Sequence, residues 1–366
     1  MLVVVKVGSS TLVDAHGALD RAYIRQLCEQ VSTLVEQGNK VIVVTSGAAA
    51  AGRESLGFSS RPSDIPSLQA CAAAGQAALT QAYADVLAEQ GIPCAQVLLT
   101  RRDVVDREGY LNARNTLERL LELGAVPVVN ENDTVSVAEF AFGDNDFLGA
   151  IVSVLAGADL YIICSDVDGL YTANPQIDPT ATLVSHVDKV DAKLMRMAGG
   201  TNSSVGTGGM TSKLRAARAM LAAGIPMVIC EGREDKIIER VVSGEQVGTR
   251  FEGPVGSAHG NGLKLWIGLA EMPQGSLILD KGACRAMVER GASVLPVGIV
   301  RSEGSFQAGD VVNVVSEQGD LLARGITRYS SEDIARVHGL HLDVIARFMP
   351  DKGGQPAVHR DELLVF

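Results

Sequence analysis

At 366 residues, with 46% hydrophobic and 20% charged residues, the chain can bury a large core and hold two or three domains. A formal net charge of −11 argues against a general nucleic-acid binder. No apolar run reaches the about 18 residues of a bilayer span, and the N-terminus lacks a charged leader segment. The six cysteines (Cys28, Cys71, Cys94, Cys164, Cys230, Cys284) show no paired spacing, so a soluble cytoplasmic protein with reduced thiols is expected.

Residues 2–7 (LVVVKV) are apolar and β-branched and read as a buried central strand. Lys6 stands near its end, either snorkelling to solvent or neutralised by an anion, because a bare buried ammonium is costly. Gly8-Ser9-Ser10 follow as a turn able to offer N–H and hydroxyl donors. Ile24, Leu27, Cys28, Val31, Leu34 and Val35 then fall on one helical face. Further strands are expected at 40–45, 94–99, 126–130, 159–164 and 226–230, with alanine-rich helices at about 66–90, 111–123 and 147–156. This alternation implies an α/β class: a mainly parallel sheet covered on both faces, with ligands at the carboxyl ends of the strands. Residues 252–262 contain four glycines and a proline and read as a linker. Beyond it, alternating runs at 276–279, 311–315 and 321–326, broken by one helix-like segment at 282–290, describe a small, mainly β domain.

Polar residues gather where the strands should end: Ser46-Gly47-Ala48, Glu131-Asn132-Asp133-Thr134 followed by Gly143-Asp144-Asn145-Asp146, and Ser165-Asp166-Val167-Asp168. Each alone also reads as a turn or helix cap, but strand ends in an open α/β sheet share one crevice. GDND lacks the remaining oxygen ligands of a calcium loop, and the six histidines show no metal spacing, so no protein-held metal is expected. Residues 203–213 (SSVGTGGMTSK) run into a lysine and open an amphipathic segment at 214–221. Taken alone this is either a flexible surface loop or an anion-binding loop at a helix start. It is neither a Walker loop, since Ser212 precedes the lysine, nor a dinucleotide fingerprint, since Thr211 stands where the last glycine belongs. Lys6, Lys213, the Gly-rich loop and the carboxylates together suggest phosphoryl transfer from a magnesium–nucleotide complex. No protein-kinase signature accompanies them.

VKVGSS, TSGAAAAG, LNARNTL, NENDTV, GDNDFL, SDVDGLYTANP and GTGGMTSK, in this order, resemble the glutamate 5-kinases of the amino acid kinase superfamily. The tail ending in VHRDELLVF resembles the PUA domain of bacterial members, so nearly the whole chain is covered. The resemblance implies an open α/β/α sandwich with an eight-stranded sheet at 1–251, a linker at 252–263 and a PUA domain at 264–366. It implies transfer of the ATP γ-phosphate to the γ-carboxylate of L-glutamate, the first step of proline biosynthesis. By motif match, Lys6 and Lys213 are similar to the lysines that grip the transferring phosphate. Ser46, Asp133 and Asn145 are similar to the glutamate-binding residues, Asp133 pairing with the substrate ammonium and Asn145 offering its amide to a carboxylate. Ser165, Asp166 and the run Thr207, Gly208, Gly209, Met210, Thr211, Ser212, Lys213 match the nucleotide segments. Asp146 either orients the site or binds Mg2+. The family also implies a homo-oligomer, dimer or tetramer, and feedback inhibition by proline. Two alternatives stand beside it: a superfamily member acting on aspartate, N-acetylglutamate, UMP or carbamate, and an RNA-binding protein acting through its PUA domain. Eleven Lys+Arg against thirteen Asp+Glu from residue 264 onward weigh against the second.

Overall fold

The computed structural model describes all residues except 15–16, 101–102, 105–106, 137–144, 192–193, 196, 198–208 and 254–272. The chain divides into two compact units, Met1–Ser257 and Ala258–Phe366. The expected linker lies mostly outside the described residues.

The first unit is an eight-stranded sheet in the order β3-β4-β2-β1-β5-β7-β8-β6. Its strands are β1 (Leu2–Val7), β2 (Lys40–Val44), β3 (Cys94–Leu99), β4 (Val126–Glu131), β5 (Leu160–Ser165), β6 (His186–Val187), β7 (Met227–Glu231) and β8 (Thr249–Phe251). Every pair is parallel except β7 with β8. The helices are α1 (Ser9–Leu12), α2 (Arg21–Glu36), α3 (Ala48–Arg53), α4 (Ile65–Glu89), α5 (Arg107–Glu122), α6 (Asn145–Ala156), α7 (Met210–Ala223) and α8 (Ile237–Val242). All six strands expected here form to within a residue or two. The two-residue β6, the three-residue β8 and the short α3 carry too little periodicity to be read from sequence.

The central strands are buried on both faces, so they read as unbroken apolar runs: Val3, Val4, Val5 and Val7 of β1 are fully buried. The helical face of Ile24, Leu27, Cys28, Val31 and Leu34 packs into the same core as Val3, Val5, Val41 and Val43. Register sets the strand ends level. Lys6 lies opposite Val44 of β2 on one side and Ile163 of β5 on the other. Strands β2 to β4 lie on one side of β1 and β5 to β8 on the other, so the crevice at its carboxyl end is the topological switch point of the sheet.

The second unit holds a five-stranded sheet, order β10-β9-β11-β12-β13, from β9 (Gly275–Leu279), β10 (Ile299–Gly304), β11 (Val311–Ser316), β12 (Leu321–Thr327) and β13 (Val358–Val365). The expected helix forms as α9 (Lys281–Arg290). Two more, α10 (Ser331–Val337) and α11 (Leu342–Phe348), add to the expected mainly β picture. The first of them starts at a capping box, Ser330 with Asp333. The unit has its own core around Leu277, Phe306, Val312, Val314, Tyr329 and Val358.

Candidate active site

Helix α6 begins at the crevice with Asn145 and Asp146 in its first turn. A carboxylate there meets the positive end of the helix dipole. One turn on, Gly149 lets the helix lie close over β5. A Cβ at that position would stand 2.3 Å from the hydroxyl of Tyr161. That hydroxyl donates to the carbonyl of Asp146 at 2.8 Å and pins the start of the helix.

Asp146 is wholly buried, and both its oxygens are engaged. The Lys6 ammonium donates to Oδ1. Ser212 Oγ donates to Oδ2 at 2.9 Å, and Lys213 Nζ approaches the same oxygen at 3.3 Å. Burial pushes the Asp146 carboxyl up, but the charges of Lys6 and Lys213 and the hydrogen bonds from Lys6 and Ser212 outweigh it and hold the group below the usual carboxylate range. Lys6 is 4% exposed and Lys213 6%, so two cations and one anion are withdrawn from water together. The cluster carries a net positive charge facing the crevice, suited to a polyanion. In this arrangement Asp146 bridges Lys6 and Lys213.

The Gly-rich segment departs from expectation in one respect. Helix α7 starts at Met210, with Gly209 as its extended N-cap, so Lys213 lies within the helix rather than at the end of a loop before it. The Ser212 N–H donates to the Gly209 carbonyl at 3.0 Å and closes the first turn, while the single proton of the Ser212 hydroxyl is shared between that carbonyl, at 2.8 Å, and Asp146 Oδ2. A lysine so near a helix N-terminus opposes the dipole, a cost that Asp146 offsets. Thr207 and Gly208 lie outside the described residues. Gly209 is exposed, and Met210, Thr211 and Ser212 are half-buried.

A second cluster adjoins the first through the neighbouring residue. Asn145 Nδ2 donates to the Thr45 carbonyl, to Ser46 Oγ at 2.9 Å and to Asn130 Oδ1 at 2.8 Å. In this arrangement the two N–H groups of Asn145 face three protein acceptors that share them, rather than the carboxylate that the resemblance implies. Ser46 precedes Gly47, whose φ of 89° turns the chain into α3, a conformation suited to glycine. Asp133, past the end of β4, is half-buried and joins neither cluster by a hydrogen bond among the described residues. Burial and the charge of Glu131 push its carboxyl up to about 6. Ser165 is buried at the end of β5, with its hydroxyl donating to the exposed Asp166 at 3.1 Å. The structure thus gathers Lys6, Asp146, Ser212 and Lys213 in one group and Ser46 and Asn145 in another. Sequence reasoning assigned no part to Thr45, Asn130 or Tyr161. An asparagine closing the apolar strand 126–130 was the one available signal.

The amino acid kinase family matches residues 1–231, and the PUA domain matches residues 275–349. Glutamate 5-kinase of Geobacter sp. (strain M21) is 44% identical over 363 residues, covering 99% of this chain and 97% of that protein. The chain belongs to the glutamate 5-kinase family. Glutamate 5-kinase of Bordetella parapertussis is 45% identical over 364 residues, covering 99% of this chain and 95% of that protein. A solved UMP kinase from Bacillus anthracis is similar at 16% identity and a TM-score of 0.47, covering 69% of this chain and 95% of that one. Among the described residues of this glutamate 5-kinase family member, no helix is long and apolar enough to cross a membrane.

Proposed function

We propose that this chain transfers the γ-phosphoryl group of ATP to the γ-carboxylate of L-glutamate, giving L-glutamyl 5-phosphate and ADP, the first step of proline biosynthesis. Membership of the glutamate 5-kinase family supports the reaction, and the buried Lys6–Asp146–Lys213 cluster is the observation that carries its mechanism. The acceptor carboxylate is ionised at neutral pH, so the reaction needs no general base. What it needs is alignment and neutralisation of charge on the three equatorial oxygens of the phosphoryl group in flight. Lys6, at the end of β1, and Lys213, in the first turn of α7, supply fixed cations from two separate elements. Asp146 keeps both ammonium groups oriented, so little reorganisation is left for the moment of transfer.

In this reading Ser46, Asp133 and Asn145 hold L-glutamate. Lys6, Ser165, Asp166 and the run Thr207, Gly208, Gly209, Met210, Thr211, Ser212 and Lys213 hold ATP. Magnesium enters bound to the nucleotide phosphates, as part of the substrate. We assign the chemistry to 1–251, a linker to 252–263 and a PUA domain to 264–366. Proline is the expected feedback inhibitor, and a cytoplasmic homo-oligomer the expected working form. Trapping with hydroxylamine tests the reaction directly: glutamate, ATP and magnesium together should give glutamyl hydroxamate. Turnover of aspartate or UMP but not of glutamate would overturn the proposal.

A further inference from the structure

A line of side-chain hydrogen bonds runs from Asn145 out to the edge of the sheet. Asn145 Nδ2 donates to Asn130 Oδ1 at 2.8 Å, and Asn130 Nδ2 donates to Gln76 Oε1 at 2.8 Å. Gln76 Nε2 donates to Thr80 Oγ1 at 3.1 Å, and Thr80 Oγ1 donates to Gln96 Oε1 at 2.9 Å. Asn130 is the penultimate residue of β4, Gln76 and Thr80 lie one turn apart on α4, and Gln96 is an exposed residue of the edge strand β3. Every bond in the series points the same way.

An amide has a donor end and an acceptor end, so such a series transmits orientation. At the inner end the direction is forced. The Thr45 carbonyl can only accept, so the NH2 of Asn145 must face it. Asn130 must then present its oxygen to Asn145 and its NH2 to Gln76, and Gln76 must present its oxygen in return. With its NH2 committed, Asn145 has only Oδ1 to offer a ligand, and that atom is an acceptor. Ser46 Oγ, which accepts from Asn145, keeps its own O–H to donate.

We propose that Gln76, backed by Thr80, is a positioning residue that fixes the polarity of Asn145, so that the site meets its amino-acid substrate with an acceptor at Asn145 and a donor at Ser46. An acceptor suits the substrate ammonium, and a donor suits a carboxylate. The site therefore discriminates against a dicarboxylic acid of the same length that lacks the amine. This inference rests on the glutamate kinase reading above.

Glutamate and glutarate, compared in the full-length protein by ADP release and hydroxamate formation, test it. The wild-type chain should prefer glutamate to glutarate by at least about a hundredfold, since a site built around a polar substrate group rejects the analogue lacking it. Gln76→Leu leaves Asn130 free to turn its NH2 toward that of Asn145. It should raise the KM for glutamate about tenfold, leave the KM for ATP within about twofold, and narrow the preference over glutarate by the same factor of about ten. Gln76→Glu keeps an acceptor for Asn130 and should restore the glutamate KM. Thr80→Val, which removes only the group that orients Gln76, should shift the glutamate KM in the same direction by a smaller factor and serves where Gln76→Leu does not fold. An unchanged glutamate KM in a folded variant, or equal loss for glutamate and glutarate, overturns the positioning role. No acyl phosphate from the wild-type chain instead overturns the glutamate kinase reading itself.

Discussion

The unit Met1–Ser257 buries Lys6, Lys213, Glu131 and Asp146 with Asn130 and Asn145 at one end of its sheet, whereas the described residues of the unit Ala258–Phe366 bury no charged side chain, only hydroxyls such as those of Ser316, Thr327 and Tyr329. Both units are held by apolar cores of the same character, Val, Leu and Ile on strands packed against helices. The difference lies in what each pays to desolvate. A buried ion cluster is often no more stabilising than apolar residues of the same volume, so stability alone does not explain Asp146 between two lysines. Its place at the switch point of a parallel sheet does. The second unit keeps its charges at the surface, as in the half-exposed pair Arg328–Glu362 at 3.0 Å.

The sharpest way to break this contrast is Asp146→Asn. It should lower kcat by about a thousandfold, as loss of preorganised electrostatics does. It should also cost about 3–5 kcal/mol of stability, because two buried lysines lose their counter-ion. Urea titration beside a hydroxamate assay reads both quantities. Lys6→Ala or Lys213→Ala should cut kcat a hundred- to a thousandfold, with a smaller shift in stability, since Asp146 keeps the other lysine. Near-normal kcat in Lys6→Ala would reduce that lysine to a structural part.

Next in size come the substrate groups. Asp133→Ala and Asn145→Ala should each raise the glutamate KM about tenfold to a hundredfold while moving the ATP KM much less. Steady-state kinetics with each substrate varied in turn checks this, and equal damage to both constants would remove them from glutamate recognition.

Asp133 also sharpens the contrast through pH. Its carboxyl is raised to about 6 in the folded chain, from an ordinary value of 3.8. The ionised form is thus disfavoured by folding, a cost fully present above about pH 6 that fades as pH falls toward 4. Asp133→Asn should therefore raise stability by on the order of 1–2 kcal/mol at pH 7.5, with the gain vanishing near pH 4. Thermal melts of both proteins across that range supply the test. If the carboxylate binds the substrate ammonium, the wild-type glutamate KM should rise as pH falls through 6.

The smallest effect belongs to the second unit. The buried Tyr329 donates its hydroxyl to the carbonyls of Lys352 at 2.9 Å and Gln355 at 3.1 Å. Tyr329→Phe should cost about 1 kcal/mol and leave kcat untouched. A chain ended after Ser257 should likewise retain glutamate kinase activity, because every residue given a role in the chemistry precedes that point. An inactive truncated protein beside an active full-length one would show that the second unit completes the catalytic core.

Much of this architecture was legible in the sequence because its strands are buried on both faces. LVVVKV, KVIVV and LYIICS are short, β-branched and almost wholly apolar, and Lys6, Ser46 and Ser165 stand at or near their ends. Lys6 was conspicuous as the one charge in an apolar run, and Lys213 as the lysine of a Gly-rich loop. The start of α7 is not legible in the sequence because Met210–Lys213 carry no apolar period, and Gly209 with Ser212 sets the boundary by local hydrogen bonds. Strands β10 and β13 escaped notice because their exposed faces carry charged residues such as Arg301, Glu303, Arg360 and Asp361.

The sequence by itself determined the class of fold, the candidate lysines and carboxylates, and the family, because apolar periodicity and motif order are properties of the chain. Only the tertiary structure decided which of those groups face one another. Lys6, Asp146 and Lys213 come from three elements separated by 140 and 67 residues, and a shared counter-ion across such distances has no trace in local pattern. The polarity of Asn145 was decided in the same way. An asparagine can donate or accept until a neighbour that can do only one of these, here the carbonyl of Thr45, removes the choice.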